Sequence, residues 1–398
     1  MKKIIIFLAG LVMLAGAVWG GIFYWKNLRG IGPALKSPPG DIARAINSTD
    51  MPLTLPPGFE ISVFAKNVKG ARVMAFDPKG NLWVSRTSEG AITILEIKNG
   101  SVFNQHDVLT GLRKPHGIAF DPQNPSLLFF AEEHGISKVQ VDAKDTNGTI
   151  QRLIKLPYGD GHFTRTIGFG PDNHLYVSIG SSCNVCNEKD FRRAKFFSMQ
   201  KDGTDIKEFA RGLRNSVFFT WHPVTYELWA TEMGRDLIGD DIPPDEVNII
   251  TEGKNYGWPI CFGKNAHDTD FDKNTYIRNP CEEPFETQSY IDVPAHSAPL
   301  GLAFIPEHGW PEEYAGNLLV SYHGSWNRTA PTGYKIVRYL LDENGAYRGE
   351  KDFISGWLAK DGKEALGRPV DIIFGRDDAA YVSDDKAGVI YRISYLGK

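Results

Sequence analysis

Gly161-His162-Phe163-Thr164-Arg165-Thr166-Ile167-Gly168-Phe169-Gly170-Pro171, running on to Asn173-His174-Leu175-Tyr176-Val177-Ser178, is a polar prefix followed by two short apolar runs with a turn between them. The second half is one copy of a template. An apolar strand ends in an aromatic, a proline usually follows, and after a turn a second strand ends in a small or polar residue. The same template occurs at Val73–Phe76 with Asn81–Ser85, at Gly117–Phe120 with Leu128–Ala131, and at Phe218–Trp221 with Glu227–Thr231. It occurs again at Gly301–Phe304 with Asn317–Ser321 and at Asp371–Phe374 with Ala380–Ser383. The closing aromatic therefore stands at 76, 120, 169, 221, 304 and 374.

The first three spacings, 44, 49 and 52 residues, are the length of one four-stranded propeller blade. The later spacings are longer and hold insertions, chiefly over 235–300. A sandwich does not repeat one template six times, so the pattern predicts an all-β chain folded as a six-bladed β-propeller. The ends agree with a closed ring. After the sixth copy only Gly388–Ser394 remains as a strand, one short of four, and Phe59–Ala65 lies unassigned before the first copy. Pairing these two joins the ends and covers an edge that would otherwise be open.

The remainder of the chain sets the context. Lys2-Lys3 precede an apolar run from Ile4 to Trp25, and Lys26 and Arg29 follow it. The run is long enough to cross a bilayer core and longer than the roughly 7–15 apolar residues of a secretory signal. Residues 1–26 are expected to be an uncleaved membrane anchor, with a removed signal peptide as the alternative. Either one exports the chain: a periplasmic location, anchored to the inner membrane by residues 4–25, is expected, with secretion after signal cleavage as the alternative. Residues 27–50 read as a linker and 51–398 as the propeller. A net charge of −4 gives no basic surface for nucleic acid. Of the four cysteines, Cys183 and Cys186 form a CxxC after the third copy, and Cys261 and Cys281 share the insertion. Export favours two local disulfides. A zinc site and a redox-active Cys183–Cys186 bond are the alternatives.

In a propeller the innermost strand of each blade lines the channel. Residues entering it and residues leaving the second strand meet on one face. The entries are Arg72; Lys114-Pro115-His116; His162-Phe163-Thr164-Arg165; Arg214-Asn215; Ala298-Pro299; and Arg368-Pro369. Any one arginine on a loop is ordinarily just solvated, but five of six blades bring a basic or imidazole group to one rim. Like charges crowded on an axis repel unless an anion sits among them, and arginine grips carboxylates bidentately. A small polyanion in the channel mouth is therefore expected. The exits Glu232–Asp236, Gly239–Asp241 and Asp384–Lys386 offer carboxylates and carbonyls of the kind Ca²⁺ takes. A solvated acidic loop is the alternative. His106, His222, His267 and His308 fall in loops or after strands, where histidines are usually structural or solvated.

From about Pro52 onward the chain resembles the PQQ-dependent glucose/sorbosone dehydrogenase family. The residues that carry the resemblance are Gly161-His162, Gly212-Leu213-Arg214-Asn215, Asp245-Glu246-Val247-Asn248 and Lys254-Asn255-Tyr256-Gly257-Trp258-Pro259. His296-Ser297-Ala298-Pro299, His323-Gly324-Ser325-Trp326-Asn327-Arg328 and Gly367-Arg368-Pro369-Val370-Asp371 resemble the sorbosone-type branch in particular. The resemblance implies pyrroloquinoline quinone, a tricarboxylate, and Ca²⁺ in the channel mouth. It implies a sugar substrate and an external electron acceptor. His162 falls at the general base and Arg214 beside the reactive quinone oxygens. Asn215 and Arg368 fall at cofactor contacts, and Gly234 and Arg235 where two backbone carbonyls hold Ca²⁺. Arg72, His116, Arg165, His323 and Arg328 are the further rim residues expected to reach the cofactor. The chain departs from the pattern at two places. Gly161 stands where the glucose enzymes often have Asp, and Leu366 replaces the second of a pair of arginines. Two other functions keep a propeller: a Ca²⁺-dependent lactonase-type hydrolase, which needs no cluster of arginines, and a non-catalytic binding propeller. Neither requires a quinone.

Overall fold

The computed structural model describes residues 14–23, 52–141, 148–342, 344–359 and 361–395. Residues 14–23 are helical; the rest of the expected anchor and the whole expected linker over 27–50 lie outside the described residues. Among the described residues, no helix is long and apolar enough to cross a membrane.

From Phe59 the chain forms six four-stranded antiparallel sheets. Each of the first five blades runs outward in chain order. The third, for example, contains Ile167–Phe169, Leu175–Ile179, Lys195–Met199 and Lys207–Arg211. In the fourth, 251–290 separates the third strand, Asp245–Ile250, from the outermost, Ile291–Val293. This insertion holds the hairpin of Cys261–Phe262 with Ala266–His267 and is closed by the Cys261–Cys281 disulfide. The sixth blade takes its outermost strand from the start of the domain. Phe59–Ala65 pairs antiparallel with Val389–Tyr395, Phe59 opposite Tyr395, so the ring closes as the strand count predicts.

The structure gives each position of the repeat a physical reason. The template aromatic of one blade meets, edge-on or nearly so, an aromatic of the blade before it. The six pairs are Trp83–Phe120, Phe129–Phe169, Tyr176–Trp221, Trp229–Phe304, Trp310–Phe374 and Tyr381–Phe76. Their ring centroids are 5.1–5.6 Å apart, the geometry aromatic quadrupoles favour. The small hydroxyl ending the second strand reaches the opposite way. Thr231 Oγ1 donates to the Leu300 carbonyl at 2.7 Å and Ser383 Oγ to that of Arg72 at 2.6 Å. Ser178 and Ser321 do the same to Ser216 and Val370. Second strands such as Leu175–Ile179 are buried throughout because neighbouring blades cover both faces. This is why they read as continuous apolar runs instead of alternating ones.

Candidate active site

The innermost strands of blades two, three and four are only three residues long, so the loop before each carries side chains to the axis. In blade three that loop presses against the exit of its own second strand. A Cβ on Gly161, whose φ is +63°, would stand 2.3 Å from the Ser182 carbonyl carbon and 2.4 Å from the Ser181 oxygen. No side chain fits there, which accounts for the departure at this position. The close approach sets His162 N on the Ser181 carbonyl at 2.9 Å and the imidazole beside the same residue.

The tautomer of His162 follows from its partners. Nδ1 lies 3.1 Å from the Ser181 carbonyl oxygen and 3.0 Å from Ser181 Oγ. The carbonyl can only accept, and Oγ already donates to the Cys183 carbonyl at 2.7 Å. Nδ1 therefore carries the proton and Nε2 the free lone pair. Burial, and then the guanidinium of Arg214, push the imidazole down to about 3, with Arg165 and Arg193 acting in the same direction. The ring is a neutral proton acceptor across the physiological range.

Arg214 is held on three sides, its side chain 5% exposed. Nε donates to the Asn184 carbonyl at 2.8 Å, Nη2 to Asn184 Oδ1 at 2.9 Å and to Asp236 Oδ2 at 2.8 Å, and Nη1 to the Met233 carbonyl at 3.3 Å. Beside it Asn215 donates its backbone N–H to Glu232 Oε1 at 2.7 Å, and Ser216 Oγ contacts Glu232 Oε2. Burial raises the Glu232 carboxyl to about 8, so it is protonated at neutral pH. Glu232→Gln, which keeps a carbonyl oxygen for Asn215, is expected to change stability by less than about 1 kcal/mol. Glu232→Ala strands a buried N–H and hydroxyl and costs about 1–3 kcal/mol. Urea denaturation of the two variants checks this.

Gly234 and Arg235 form a ledge beside Arg214. Asp245 Oδ1 accepts from Gly234 N at 2.9 Å, and a Cβ at 234 would meet the Pro244 carbonyl at 2.6 Å. The Arg235 side chain turns away to Asp268, 2.6 Å. Among the described residues no hydrogen bond reaches the carbonyl of either Gly234 or Arg235, so both oxygens are available to a cation. Across the mouth, Asp385 accepts from Arg72 Nη1 at 2.8 Å and lies 3.0 Å from His323 Nε2. Burial and Arg368 push His323 down to about 4 in spite of this carboxylate. Arg368 rests on the carbonyls of His323 and Gly324 at 3.0 and 2.9 Å. Arg328 is tied to the blade-four exit through the Asp240 carbonyl at 2.9 Å and Asp241 at 2.6 Å.

His162, Arg214, Asn215, Gly234, Arg72, His323 and Arg368 are thus gathered on the entry face. Arg165 and His116 are set behind it, both without exposed surface. Arg165 donates to the carbonyls of Pro157, His162 and Thr164 at 2.6–2.9 Å and so shapes the loop that bears His162 instead of facing a ligand. His116 meets Thr166 Oγ1 at 3.2 Å and packs on Phe218. Asp384 is buried as well; it receives the N–H groups of Lys386 and Ala387 and the Tyr391 hydroxyl, a turn and not a cation loop. Two residues that complete the site, Asn184 and Arg193, were not singled out in the sequence, and two carboxylates of the exits read as cation loops, Asp236 and Asp385, are instead paired with Arg214 and Arg72. Arg193, 3% exposed, donates to the carbonyls of His162 and Gly180. A cavity of about 940 Å³ opens at the opposite mouth of the channel. Of its three carboxylates, Asp371 is already taken by the N–H groups of Met74 and Ile372, Asp342 by those of Asn344 and Ala346 and by Arg348, and Glu307 is exposed to solvent. The convergent polar groups lie on the entry face.

Residues 53–396 match the family described as TrAA12-like. An uncharacterized protein of Borreliella burgdorferi is 33% identical, over 89% of this chain and 93% of its own length. The quinoprotein glucose dehydrogenase B of Acinetobacter calcoaceticus is 22% identical, over 75% of this chain and 73% of that enzyme. Among solved structures, the holo form of the pyranose dehydrogenase PQQ domain from Coprinopsis cinerea superposes with a TM-score of 0.73 at 20% identity. That match covers 87% of this chain and 98% of the other.

Proposed function

The chain belongs to the TrAA12-like family, and from that premise we propose that it is a quinoprotein oxidoreductase that oxidises a sugar, or a related aldehyde or polyol, with pyrroloquinoline quinone. The observation that carries the reading is the pairing of a neutral imidazole, its Nε2 lone pair free, with a fixed guanidinium at one channel mouth. Pyrroloquinoline quinone, when bound, supplies a two-electron acceptor for the hydride of a substrate C–H bond.

The residues present fit that group. Arg72 and Arg368 bring positive charge to the mouth, and Arg72 Nε is a buried donor with no protein partner; both suit carboxylates. The unbonded carbonyls of Gly234 and Arg235 are hard oxygen ligands suited to Ca²⁺. In the reaction, His162 Nε2 accepts the proton of the substrate hydroxyl as the carbon is oxidised. Its Nδ1–H keeps donating to the Ser181 carbonyl, which holds the ring's orientation. Arg214 lies where a fixed positive charge stabilises negative charge developing in the transition state. A lactonase needs carboxylate and amide ligands converging on a metal, and the acidic groups of this mouth are instead paired with arginines. The N-terminal segment is proposed to hold the enzyme at the outer face of the inner membrane, where an external acceptor takes the electrons.

Reconstitution tests the reading. The protein stripped of ligands is titrated with pyrroloquinoline quinone and Ca²⁺, and dye reduction is followed over a panel of aldoses, ketoaldehydes and polyols. Sugar-dependent reduction that requires the quinone is expected, with loss of activity on chelation of Ca²⁺. Absence of a bound-quinone absorbance together with no turnover on any panel member would overturn it.

A further inference from the structure

The stretch 180–194, between the second and third strands of blade three, is polar and has no regular structure. A stretch of that kind is free to move unless it is tied. Here two of the ties lie within the stretch itself. Glu188 accepts from Ser182 N and Ser182 Oγ, both at 2.6 Å, and the Cys183–Cys186 disulfide closes a four-residue loop. One residue inside that loop, Asn184, makes four hydrogen bonds across to blade four. Its carbonyl and Oδ1 take Nε and Nη2 of Arg214. The same Oδ1 accepts from Asp236 N at 2.7 Å, and Nδ2 donates to the Asp236 carbonyl at 2.9 Å. Asp236 in turn directs Oδ2 at Arg214 and Oδ1 at Asn327 Nδ2, 2.7 Å. The first residue of the loop also serves the imidazole, since the Cys183 carbonyl takes the Ser181 hydroxyl that faces His162 Nδ1.

We propose that the Cys183–Cys186 disulfide and the Asn184 it presents are a positioning device for Arg214 and for the adjoining 234–236 ledge. An asparagine is needed because one side of the amide must accept from a guanidinium and a backbone N–H while the other donates to a backbone carbonyl. A guanidinium held by a peptide carbonyl, an amide oxygen and a carboxylate has one orientation, and a displacement of about 1 Å at such a group costs about 10²-fold in rate. The consequence for turnover rests on the function proposed above. The contact itself is measurable without any cofactor.

The test compares the wild-type chain with Cys183→Ser combined with Cys186→Ser, and with Asn184→Ala, which keeps the disulfide. In ¹⁵N-labelled cofactor-free protein, hydrogen exchange of the Arg214 Nε–H is followed by NMR. In the double serine variant it is expected to quicken by about tenfold or more, because the carbonyl that receives it is no longer fixed. After loading with quinone and Ca²⁺, kcat of both variants is expected to fall about tenfold or more, with KM for the sugar changed less than about threefold. A role confined to stability would lower the melting temperature and leave Nε–H exchange and kcat unchanged. That outcome overturns the proposal. Should the double serine variant fail to fold, Asn184→Ala decides, and wild-type kcat in that variant overturns it equally. Should no variant, wild type included, turn over any sugar, the dehydrogenase reading fails. The exchange measurement still decides whether the disulfide loop holds Arg214.

Discussion

His162→Gln lowers kcat by about 10²–10⁴-fold, the range a positioned general base supplies, while the quinone still binds with its absorbance intact. Glutamine can keep a hydrogen bond to Ser181, but its amide is not a base. The pH dependence separates this from a loss of shape. Buried beside Arg214, Arg165 and Arg193, the imidazole is pushed from an ordinary value near 6.5 down to about 3. The base form is therefore present through neutrality and is lost only as pH falls toward 3. A bound polyanion offsets the arginines and moves that value up, so the acid limb of kcat/KM is expected between about 3 and 6.5 and is absent in His162→Gln. Stability carries the same sign. In the unfolded chain the imidazole takes up a proton below about 6.5, whereas the folded site resists until about 3. Stability is lost through this window as pH falls. His323, pushed to about 4, contributes in the same direction. From pH 7 to 4 the melting temperature of the wild type should fall by more than that of His162→Gln, whatever their difference at pH 7.

Arg214→Lys, which keeps the charge, is expected to lower kcat by about 10²–10³-fold, the loss seen when one fixed donor to a developing negative charge is removed. The reason is geometric. The guanidinium meets Asn184 twice, Asp236 and the Met233 carbonyl at once. An ammonium offers three rotatable donors from one point and cannot span them. Because the positive charge remains near His162, the acid limb of kcat/KM should stay within about half a pH unit while kcat falls. Arg214→Leu should instead move the limb upward, since the second-largest influence holding the imidazole down is gone. Steady-state kinetics over pH 4–8 on the three proteins distinguishes these outcomes. Equal limbs in Arg214→Leu and wild type would remove Arg214 as the neighbour that keeps His162 neutral.

The local sequence carried much of this site. Gly161-His162 and Arg214-Asn215 were placed on one face by the repeat alone, because the entry to an innermost strand has a fixed position in a blade. Arg165 shows where that reasoning stops. It occupies the same rim position in sequence as His162, three residues on, yet its guanidinium runs inward to three backbone carbonyls. Nothing in the spacing distinguishes an arginine facing a ligand from one stitching its own loop. Asn184 shows the converse. An asparagine between two cysteines has no signature of its own, and its partners stand 30 and 52 residues away in the chain.

What the sequence by itself determined was the ring. Six copies of one template specify six blades, a missing last strand specifies which early strand must close it, and the resemblance specifies the chemistry to look for. Those features are local or periodic, so they survive being read one residue after another. Only the tertiary structure decided which polar side chains face the mouth, which are consumed in holding loops, and why Gly161 admits no side chain. Each of these depends on two segments distant in sequence approaching within a few ångströms, a relation that hydrogen bonding and excluded volume fix only once the blades are packed.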